Sequence, residues 1–246
     1  MSVVAVIPAR YDSTRFPGKM LASRTGRPLV RHVYDQAVLA KSVARVVVAT
    51  DDERIADAVR DFGGSVLMTR RDHPNGTSRI AEIAPRLNAD IIVNVQGDEP
   101  DLDPGLIDLG VATLQNHADC PVATIGSPFA PDEDAANPNI VKVVTDTRGR
   151  ALYFSRALIP FDRDRTGQVS RLKHVGLYVY RTAFLSIYST LTPTPLEQAE
   201  KLEQLRLLEH GHSIAVGIGV AHHHGIDTPE QYEAFVARWR ASNPPC

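Results

Sequence analysis

Apolar runs and amphipathic segments alternate through the first hundred residues of the chain. Five consecutive apolar residues, Val3 to Ile7, are typical of a buried strand. Residues 28–40 then place six apolar side chains on one helical face. Further strands are predicted at 45–50, 65–69 and 90–95, with helices from Asp51 and Asp52 onward and over 77–87. This alternation predicts right-handed βαβ units and a parallel, doubly wound sheet of the α/β class.

The second half of the chain has a more mixed pattern. Strands are predicted at 140–144, 151–155, 174–180 and 213–220, and helices at 196–210 and 229–239. We find no internal repeat, low-complexity tract or linker in the sequence. We therefore expect a single domain over 1–246, with a smaller subregion at about 120–195.

Composition narrows the class of protein. Apolar residues make up 43% of the chain and charged residues 23%, as in ordinary globular domains. The net charge of -2 gives no general attraction to nucleic acid. Two cysteines, Cys120 and Cys246, do not make a disulfide framework. With neither a signal-peptide pattern nor a long apolar run, we expect a cytoplasmic protein without membrane insertion.

The loop after the first strand is cationic. Such a loop, at the carboxyl end of the first strand of an α/β sheet, is typical of a phosphate site, and a solvated surface loop is the alternative. It is neither a Walker A motif nor a dinucleotide fingerprint, because both need glycines that this loop lacks. Arginine and lysine side chains would therefore bind the phosphates, with Lys19 as an exposed loop residue. The polar members are Arg10, Asp12, Ser13, Thr14, Arg15 and Lys19.

A second motif, Asn-Val-Gln-Gly-Asp-Glu-Pro at 94–100, follows an apolar strand. Asp98 should therefore lie at the carboxyl edge of the sheet, facing the same crevice as the cationic loop. A carboxylate there suits Mg²⁺, which prefers oxygen ligands and phosphates. The alternative is a turn in which Asp98 caps the next helix. Gly97 permits a close approach of backbone or ligand.

Three weaker signals remain. Residues 70–79 join a strand to a helix, so Arg79 can face the crevice. Pro229 at a first helical position makes Asp227 or Thr228 a helix cap, and metal ligation by Asp227 is the alternative. Neighbouring histidines on an extended segment point alternately, so 222–224 predict an exposed loop more than a metal site.

Taken together, these motifs resemble the CMP-Kdo synthetase family, the 3-deoxy-manno-octulosonate cytidylyltransferases, over nearly the whole chain. The resemblance implies a Rossmann-like nucleotidyltransferase sheet with a small mixed dimerisation subregion, and a homodimer. It implies transfer from CTP to the keto sugar acid Kdo, with release of pyrophosphate and with Mg²⁺ as cofactor. It rests on residues 7–11, 17–19, 94–100, 137–144, 151–156, 174–178, 201–206 and 227–230.

The resemblance also implies roles for individual residues. Arg10, Lys19, Asp98 and Asp227 would be catalytic, and the two aspartates would bind Mg²⁺. CTP would be surrounded by Ala9, Arg10, Ser13, Lys19, Arg70 and Thr77. The sugar acid would be faced by Arg15, Arg79, Gln96, His174, Tyr178, Glu203 and Gln204.

Two departures from the family pattern leave the identity of the sugar acid undecided. Position 78 is serine where the family usually has an acidic residue, and the stretch before Asp227 is rich in histidine. An amino-substituted Kdo or a sialic acid is therefore an alternative substrate. A nucleotide-binding regulatory protein without turnover is the alternative from another class.

Overall fold

A computed structural model of the chain describes residues 1–222 and 225–243. These residues form nine strands, β1 to β9: Val3–Ala9, Arg45–Thr50, Ser65–Met68, Ile91–Asn94, Val122–Pro128, Lys142–Thr145, Ala151–Ser155, Leu172–Arg181 and Ile214–Ile218. They also form eight α-helices, α1 to α8: Leu29–Val38, Glu53–Asp61, Gly76–Leu87, Pro104–Asn116, Thr182–Tyr188, Pro195–Glu200, Gln204–Glu209 and Pro229–Ser242.

The chain divides into two compact units. The first contains Met1–Pro104 and His222–Cys246, and the second contains Gly105–Ala221. The smaller subregion predicted at about 120–195 falls within the second unit, and its role in dimerisation stays a prediction.

The first unit is built on four parallel strands in the order β3-β2-β1-β4. Strand β1 is central and almost fully buried, as the apolar run predicts for a strand covered on both faces. In register, Ala9 lies beside Thr50, and Val6 lies beside Asn94. The predicted α/β class is confirmed, and the carboxyl ends of these strands meet at one edge of the sheet.

Helix α8 packs within the first unit although it lies at the far end of the sequence. Its residues Tyr232, Phe235 and Val236 form a buried cluster with Leu29 of α1 and with Ile226 just before α8. Burial of these apolar side chains stabilises the position of the helix against α1. The segment preceding α8 is thereby anchored to the first unit.

The second unit has a mixed sheet. Strand β5 pairs antiparallel with β8 and parallel with β9, and β6 pairs antiparallel with β7 and β8. The β5–β8 register shifts between Thr124 and Ile125, which marks a bulge. Four of these five strands, β6 to β9, are predicted by the sequence, with β6 beginning two residues later than expected.

The helix predicted at 196–210 is wrong, because two short helices, α6 and α7, occupy this range. Lys201 separates them in the left-handed conformation, with φ of 54°. A lysine gives no sequence signal for such a break, since glycine is the usual residue there.

Helix α4 and strand β5 are absent from the sequence prediction. Glycines at 105 and 110 lower the helix propensity of α4. The structure gives Gly110 a packing role, because a Cβ there would lie 2.9 Å from Val179 Cγ2 of β8. Close packing of α4 on the sheet therefore requires glycine at position 110. The same glycine weakens the helix signal in the sequence.

Candidate active site

The cationic loop begins where β1 ends, and it ends in a single 3₁₀ turn at Lys19–Leu21. Gly18 closes the loop by donating its N–H to the Tyr11 carbonyl at 3.1 Å. It has φ of 68° and lies against the Tyr11 ring, so a side chain here would be both strained and crowded. Gly18 thus sets the direction in which Lys19 leaves the loop.

Tyr11 is held from its other side by Arg54 of α2. The Arg54 guanidinium lies 3.4 Å from the centroid of the Tyr11 ring. Asp52, the N-cap of α2, orients that guanidinium by accepting from its Nε at 2.9 Å and its Nη2 at 2.7 Å. Cation–π contact and a forked ion pair together brace the loop.

Lys19 joins the two carboxylates that the family resemblance assigns to metal binding. Its Nζ donates to Asp98 Oδ2 at 2.7 Å, to the Ile226 carbonyl at 2.9 Å and to Asp227 Oδ1 at 3.4 Å. Only 10% of the Lys19 side chain is exposed, so the expectation of an exposed loop lysine is wrong. The three oxygens supply the hydrogen bonds that a buried ammonium needs.

Asp227 reaches this position through the backbone. The N–H of Ile226 donates to the Asp98 carbonyl at 2.8 Å, which places the two aspartates beside each other. Asp227 Oδ2 also contacts Arg15 Nη2 at 3.0 Å. Thr228, not Asp227, caps α8, in a capping box with Gln231. The Asp227 carboxylate is therefore directed to the cations and not to the helix.

The opposite wall comes from the loop before α3. Asn75 caps α3 by accepting from Ser78 N at 2.8 Å. Gly76 and Gly97 allow close packing, since a Cβ on Gly97 would lie 3.0 Å from the Pro8 carbonyl oxygen and one on Gly76 3.1 Å from Pro8 Cγ. The close backbone approach predicted at Gly97 is confirmed.

These segments enclose a cavity of about 330 Å³ that lies wholly in the first unit. Eight of the predicted residues line it, and they carry both signs of charge: Arg10, Ser13, Arg15, Lys19, Arg79, Gln96, Asp98 and Asp227. Arg10 is exposed and makes no ion pair with another described residue. The cavity thus offers a free cation beside an ion-paired cluster.

Three residues predicted to contact CTP are outside this lining. Ala9 is buried in β1, and Thr77 is buried in the first turn of α3. The Arg70 side chain is exposed, with Asp72 and Glu82 at 3.7 Å and 3.6 Å. Ser78, the departure from the family pattern, donates from its hydroxyl to the Asn75 carbonyl at 2.9 Å. That hydroxyl stabilises the helix start and does not line the cavity.

Arg79 lines the cavity but is already engaged. Its guanidinium contacts Asp51 Oδ2 at 3.2 Å and also donates to the Thr69 hydroxyl. Since Arg79 is 4% exposed, these contacts hold the ends of β2 and β3 together. Its predicted contact with the sugar acid stays a prediction.

In the second unit, the predicted residues of β8 are partly buried and uncharged. His174 Nε2 lies 2.9 Å from the Thr124 hydroxyl, and its ring contacts Phe154 and Tyr178. Burial lowers the pKa of His174 to about 3, so the ring is neutral at pH 7. Burial also raises the pKa of Tyr178, so its hydroxyl keeps its proton. Both side chains are suited to neutral hydrogen bonds.

Glu203 is the N-cap residue of α7, and Gln204 is the first residue of that helix. Glu203 Oε1 accepts from the Tyr188 hydroxyl at 2.6 Å. Gln204 is 5% exposed, and its Nε2 has no hydrogen-bond partner among the described residues. A buried amide donor without a partner is costly, and it is a natural contact for a hydroxyl-rich ligand.

Several cavity residues received no individual role from sequence reasoning. Thr14 was named only as a hydroxyl of the cationic loop, Pro8 and Met20 flank predicted positions, and His73 and Asn75 belong to the 70–79 segment that gave only a weak signal. The Asn-Gly-Thr-Ser sequence at 75–78 was the usable signal, because it is typical of a capped helix start beside an anion site. His222 is exposed, as predicted for the histidine run, and His223 and His224 lie outside the described residues.

A cavity at the carboxyl ends of parallel strands, with a free cation and a pair of neighbouring carboxylates, is typical of nucleotide-phosphate chemistry. The fold agrees with this class. A putative glucose-1-phosphate thymidylyltransferase from Bacillus anthracis superposes with a TM-score of 0.66 at 15% identity, covering 100% of this chain and 98% of that one. A CMP:2-keto-3-deoxy-manno-octonic acid synthetase complexed with CTP gives a TM-score of 0.93 at 44% identity, covering 98% and 100%. The chain is thus a nucleotidyltransferase.

Sequence comparison defines the family more closely. The cytidylyltransferase family model matches residues 4–214. The 3-deoxy-manno-octulosonate cytidylyltransferase of Geobacter sulfurreducens is 52% identical, covering 97% of this chain and 99% of that protein. The Solibacter usitatus enzyme of the same name is 49% identical, covering 98% and 95%. The chain belongs to the 3-deoxy-manno-octulosonate cytidylyltransferase family.

Two kinds of feature are absent from the described residues. None of their helices has the length and apolar character needed to cross a membrane. Within the same residues, no group of three or more histidine, cysteine, aspartate or glutamate side chains is arranged to hold a metal ion.

Proposed function

We propose that this enzyme joins the cytidylyl group of CTP to Kdo and releases pyrophosphate. One observation carries the proposal: the cationic loop and the Asp98–Asp227 pair line a single cavity. The names of the relatives, at about half identity over nearly the full chain, support the same reaction.

The chemistry is a displacement at the α-phosphorus of CTP. The anomeric hydroxyl of Kdo attacks, an oxygen–phosphorus bond forms, and the bond to the β-phosphate breaks. The hydroxyl proton passes to solvent, and pyrophosphate leaves with the bonding electrons. Arg10 and Lys19 stabilise the negative charge that grows on the leaving pyrophosphate. No protein nucleophile takes part.

The donors present fit Mg²⁺. Asp98 and Asp227 are both within 3.4 Å of one ammonium nitrogen, so their oxygens converge on one point. Two carboxylates are few for an ion that takes six oxygen ligands, and phosphate oxygens and water supply the rest in such sites. When bound, Mg²⁺ would supply Lewis-acid polarisation of the phosphate and lower the pKa of the attacking hydroxyl.

In this scheme the Lys19 ammonium can bind either the two aspartates or the phosphate oxygens of CTP. With its ammonium on the aspartates, as in the structure, it balances their charge. Phosphate oxygens at the same place compete for that ammonium, since lysine acts as a mobile point charge. A cytoplasmic homodimer that supplies CMP-Kdo for lipopolysaccharide synthesis is the context that the family resemblance favours.

Turnover with a panel of substrates tests the function. Pyrophosphate release is measured with CTP, UTP, ATP and GTP, each with Kdo, with amino-substituted Kdo and with a sialic acid. We expect the highest kcat/KM for CTP with Kdo. Equal rates with ATP or GTP would contradict the assignment. A faster reaction with another sugar acid would replace Kdo, and CTP binding without turnover would favour the regulatory alternative.

A further inference from the structure

Glu82 lies outside the cavity, yet its carboxylate holds the loop that forms one cavity wall. It sits in the middle of α3 (Gly76–Leu87) and is partly exposed. Its oxygens accept from Arg70 N at 3.1 and 3.4 Å and from His73 Nε2. One carboxylate therefore binds the loop at two points three residues apart.

The loop that Glu82 holds leads directly to the cavity. His73 lines the cavity, and only 5% of its side chain is exposed. Pro74, Asn75 and Gly76 follow it in the same lining. Few packing contacts fix a segment of this kind, so its hydrogen bonds decide where it lies.

Helix α3 presents a second residue to the same loop. Arg79, three positions before Glu82, shares its helix face and contacts the Thr69 hydroxyl and the Arg70 carbonyl. The Arg70 peptide is thus bound on both sides, its N–H by Glu82 and its C=O by Arg79. The start of the loop is fixed to α3 by two side chains of opposite charge.

The contact with Glu82 also sets the state of the His73 ring. An ionised carboxylate only accepts hydrogen bonds, so His73 Nε2 carries the proton in this contact. Burial raises the pKa of Glu82, but the hydrogen bonds from His73 and from the Arg70 backbone outweigh it and lower that pKa. Glu82 is therefore ionised at neutral pH, and His73 Nδ1 is the ring nitrogen left to meet a ligand.

We propose that Glu82 is a positioning residue for the nucleotide: it fixes the His73 wall of the cavity and so sets the affinity for CTP. The inference rests on the proposed function, because it assigns this wall to the nucleotide and not to the sugar acid. Glu82 itself touches neither substrate. Its effect passes through Arg70 and His73.

Two variants separate this role from a general effect on folding. Glu82→Leu removes both acceptors, and Glu82→Gln keeps one oxygen that can accept from Arg70 N or His73. We expect Glu82→Leu to raise the KM for CTP about tenfold or more, with KM for Kdo and kcat nearly unchanged. Glu82→Gln should recover most of the loss. Glu53→Gln on α2 is a matched control, because Glu53 is exposed and its one ion pair within the described part of the chain is with Arg60.

A second measurement does not depend on turnover. CTP should raise the thermal midpoint of the wild type and of Glu53→Gln, and should raise that of Glu82→Leu much less. If Glu82→Leu keeps the wild-type KM for CTP and the wild-type thermal shift, the positioning role is wrong. If KM for Kdo rises in place of KM for CTP, the wall belongs to the sugar acid and the inference is overturned. A wild type without CTP-dependent turnover overturns the proposed function itself, and this inference with it.

Discussion

The cavity of the first unit and strand β8 of the second unit present opposite kinds of polar groups. In the cavity, Arg10 and Arg15 are exposed, and Lys19 bridges two carboxylates. Along β8, His174 is neutral and Tyr178 keeps its proton, because burial disfavours the charged form of each. Full charges suit a triphosphate and its metal, whereas neutral donors and acceptors suit sugar hydroxyls. Under the proposed function, we therefore expect the charged region to bind CTP and the neutral region to bind the sugar acid.

The largest expected effect comes from removing the ammonium at the centre of the charged region. Lys19→Met should lower kcat by about 100- to 1,000-fold, the usual loss on deleting one preorganised donor from a transition state. Lys19→Arg keeps the charge and should retain more activity. Pyrophosphate release at saturating substrates measures both variants.

Stability must be followed for Lys19→Met, because the lysine is buried and bound to Asp98 and Asp227. Loss of this partner leaves Asp98 without the Lys19 ammonium and Asp227 with the exposed Arg15, so a lower thermal midpoint is expected. A folded variant with near-normal kcat would show that the charged region does not stabilise the leaving group.

The aspartate pair is expected to give the next largest effect. Asp98→Asn and Asp227→Asn keep side-chain size and remove one charge each. Turnover should fall by about 10- to 100-fold and should need more Mg²⁺ for half-maximal rate. Manganese binding in the presence of CTP, followed by electron paramagnetic resonance, measures the same loss without turnover.

Asp227→Asn is a clean test because Thr228 is the cap of α8. Its helix should therefore remain intact, which circular dichroism checks. A stable Asp227→Asn enzyme with full activity at every Mg²⁺ concentration would remove Asp227 from the metal site.

The cavity could be anticipated from sequence where its chemistry is local. Arg10, Lys19 and Asp98 lie in loops that follow apolar strands, so the carboxyl ends of parallel strands predict their common location. Asp227 was assigned by resemblance, and the structure shows why periodicity alone falls short. Two long-range contacts position Asp227. Helix α8, which follows it, packs on α1, and the backbone of Ile226 hydrogen-bonds to that of Asp98.

Other features depend on contacts that no local pattern records. Glu82 reaches back 12 positions to Arg70, and its apolar neighbours in α3 give no hint of this. The break between α6 and α7 requires Lys201 in the left-handed conformation. Helix α4 lacks a clear sequence signal because close packing on the sheet requires a glycine within it. Long-range packing, not propensity, decides these positions.

A smaller effect is expected on the stability of the protein at acid pH, because His174 on β8 is neutral in the folded state. Unfolded histidine binds a proton near pH 6.5, whereas folded His174 stays neutral down to about 3. The unfolded state therefore binds more protons, and the free energy of unfolding falls as pH decreases below about 6.5. The limit is about 1.4 kcal/mol per pH unit for one histidine. His32 in the first unit, whose pKa burial lowers to about 4, adds in the same direction.

Urea unfolding between about pH 7.5 and pH 5 measures this slope. His174→Gln can keep the contact with Thr124 but cannot take up a proton, so its stability should decline less with acid than that of the wild type. The exposed His222 gives the control, and His222→Gln should follow the wild type. Equal slopes for all three proteins would mean that His174 is not shielded.

Two-substrate kinetics test the division of the polar groups most directly. KM for CTP and KM for Kdo are measured for Arg10→Met and for Tyr178→Phe, each with the other substrate saturating. A charged nucleotide region and a neutral sugar region predict opposite patterns. Arg10→Met should raise KM for CTP about tenfold and leave KM for Kdo unchanged, and Tyr178→Phe should do the reverse. Variants that raise both constants equally, or with the pattern exchanged, would contradict the division.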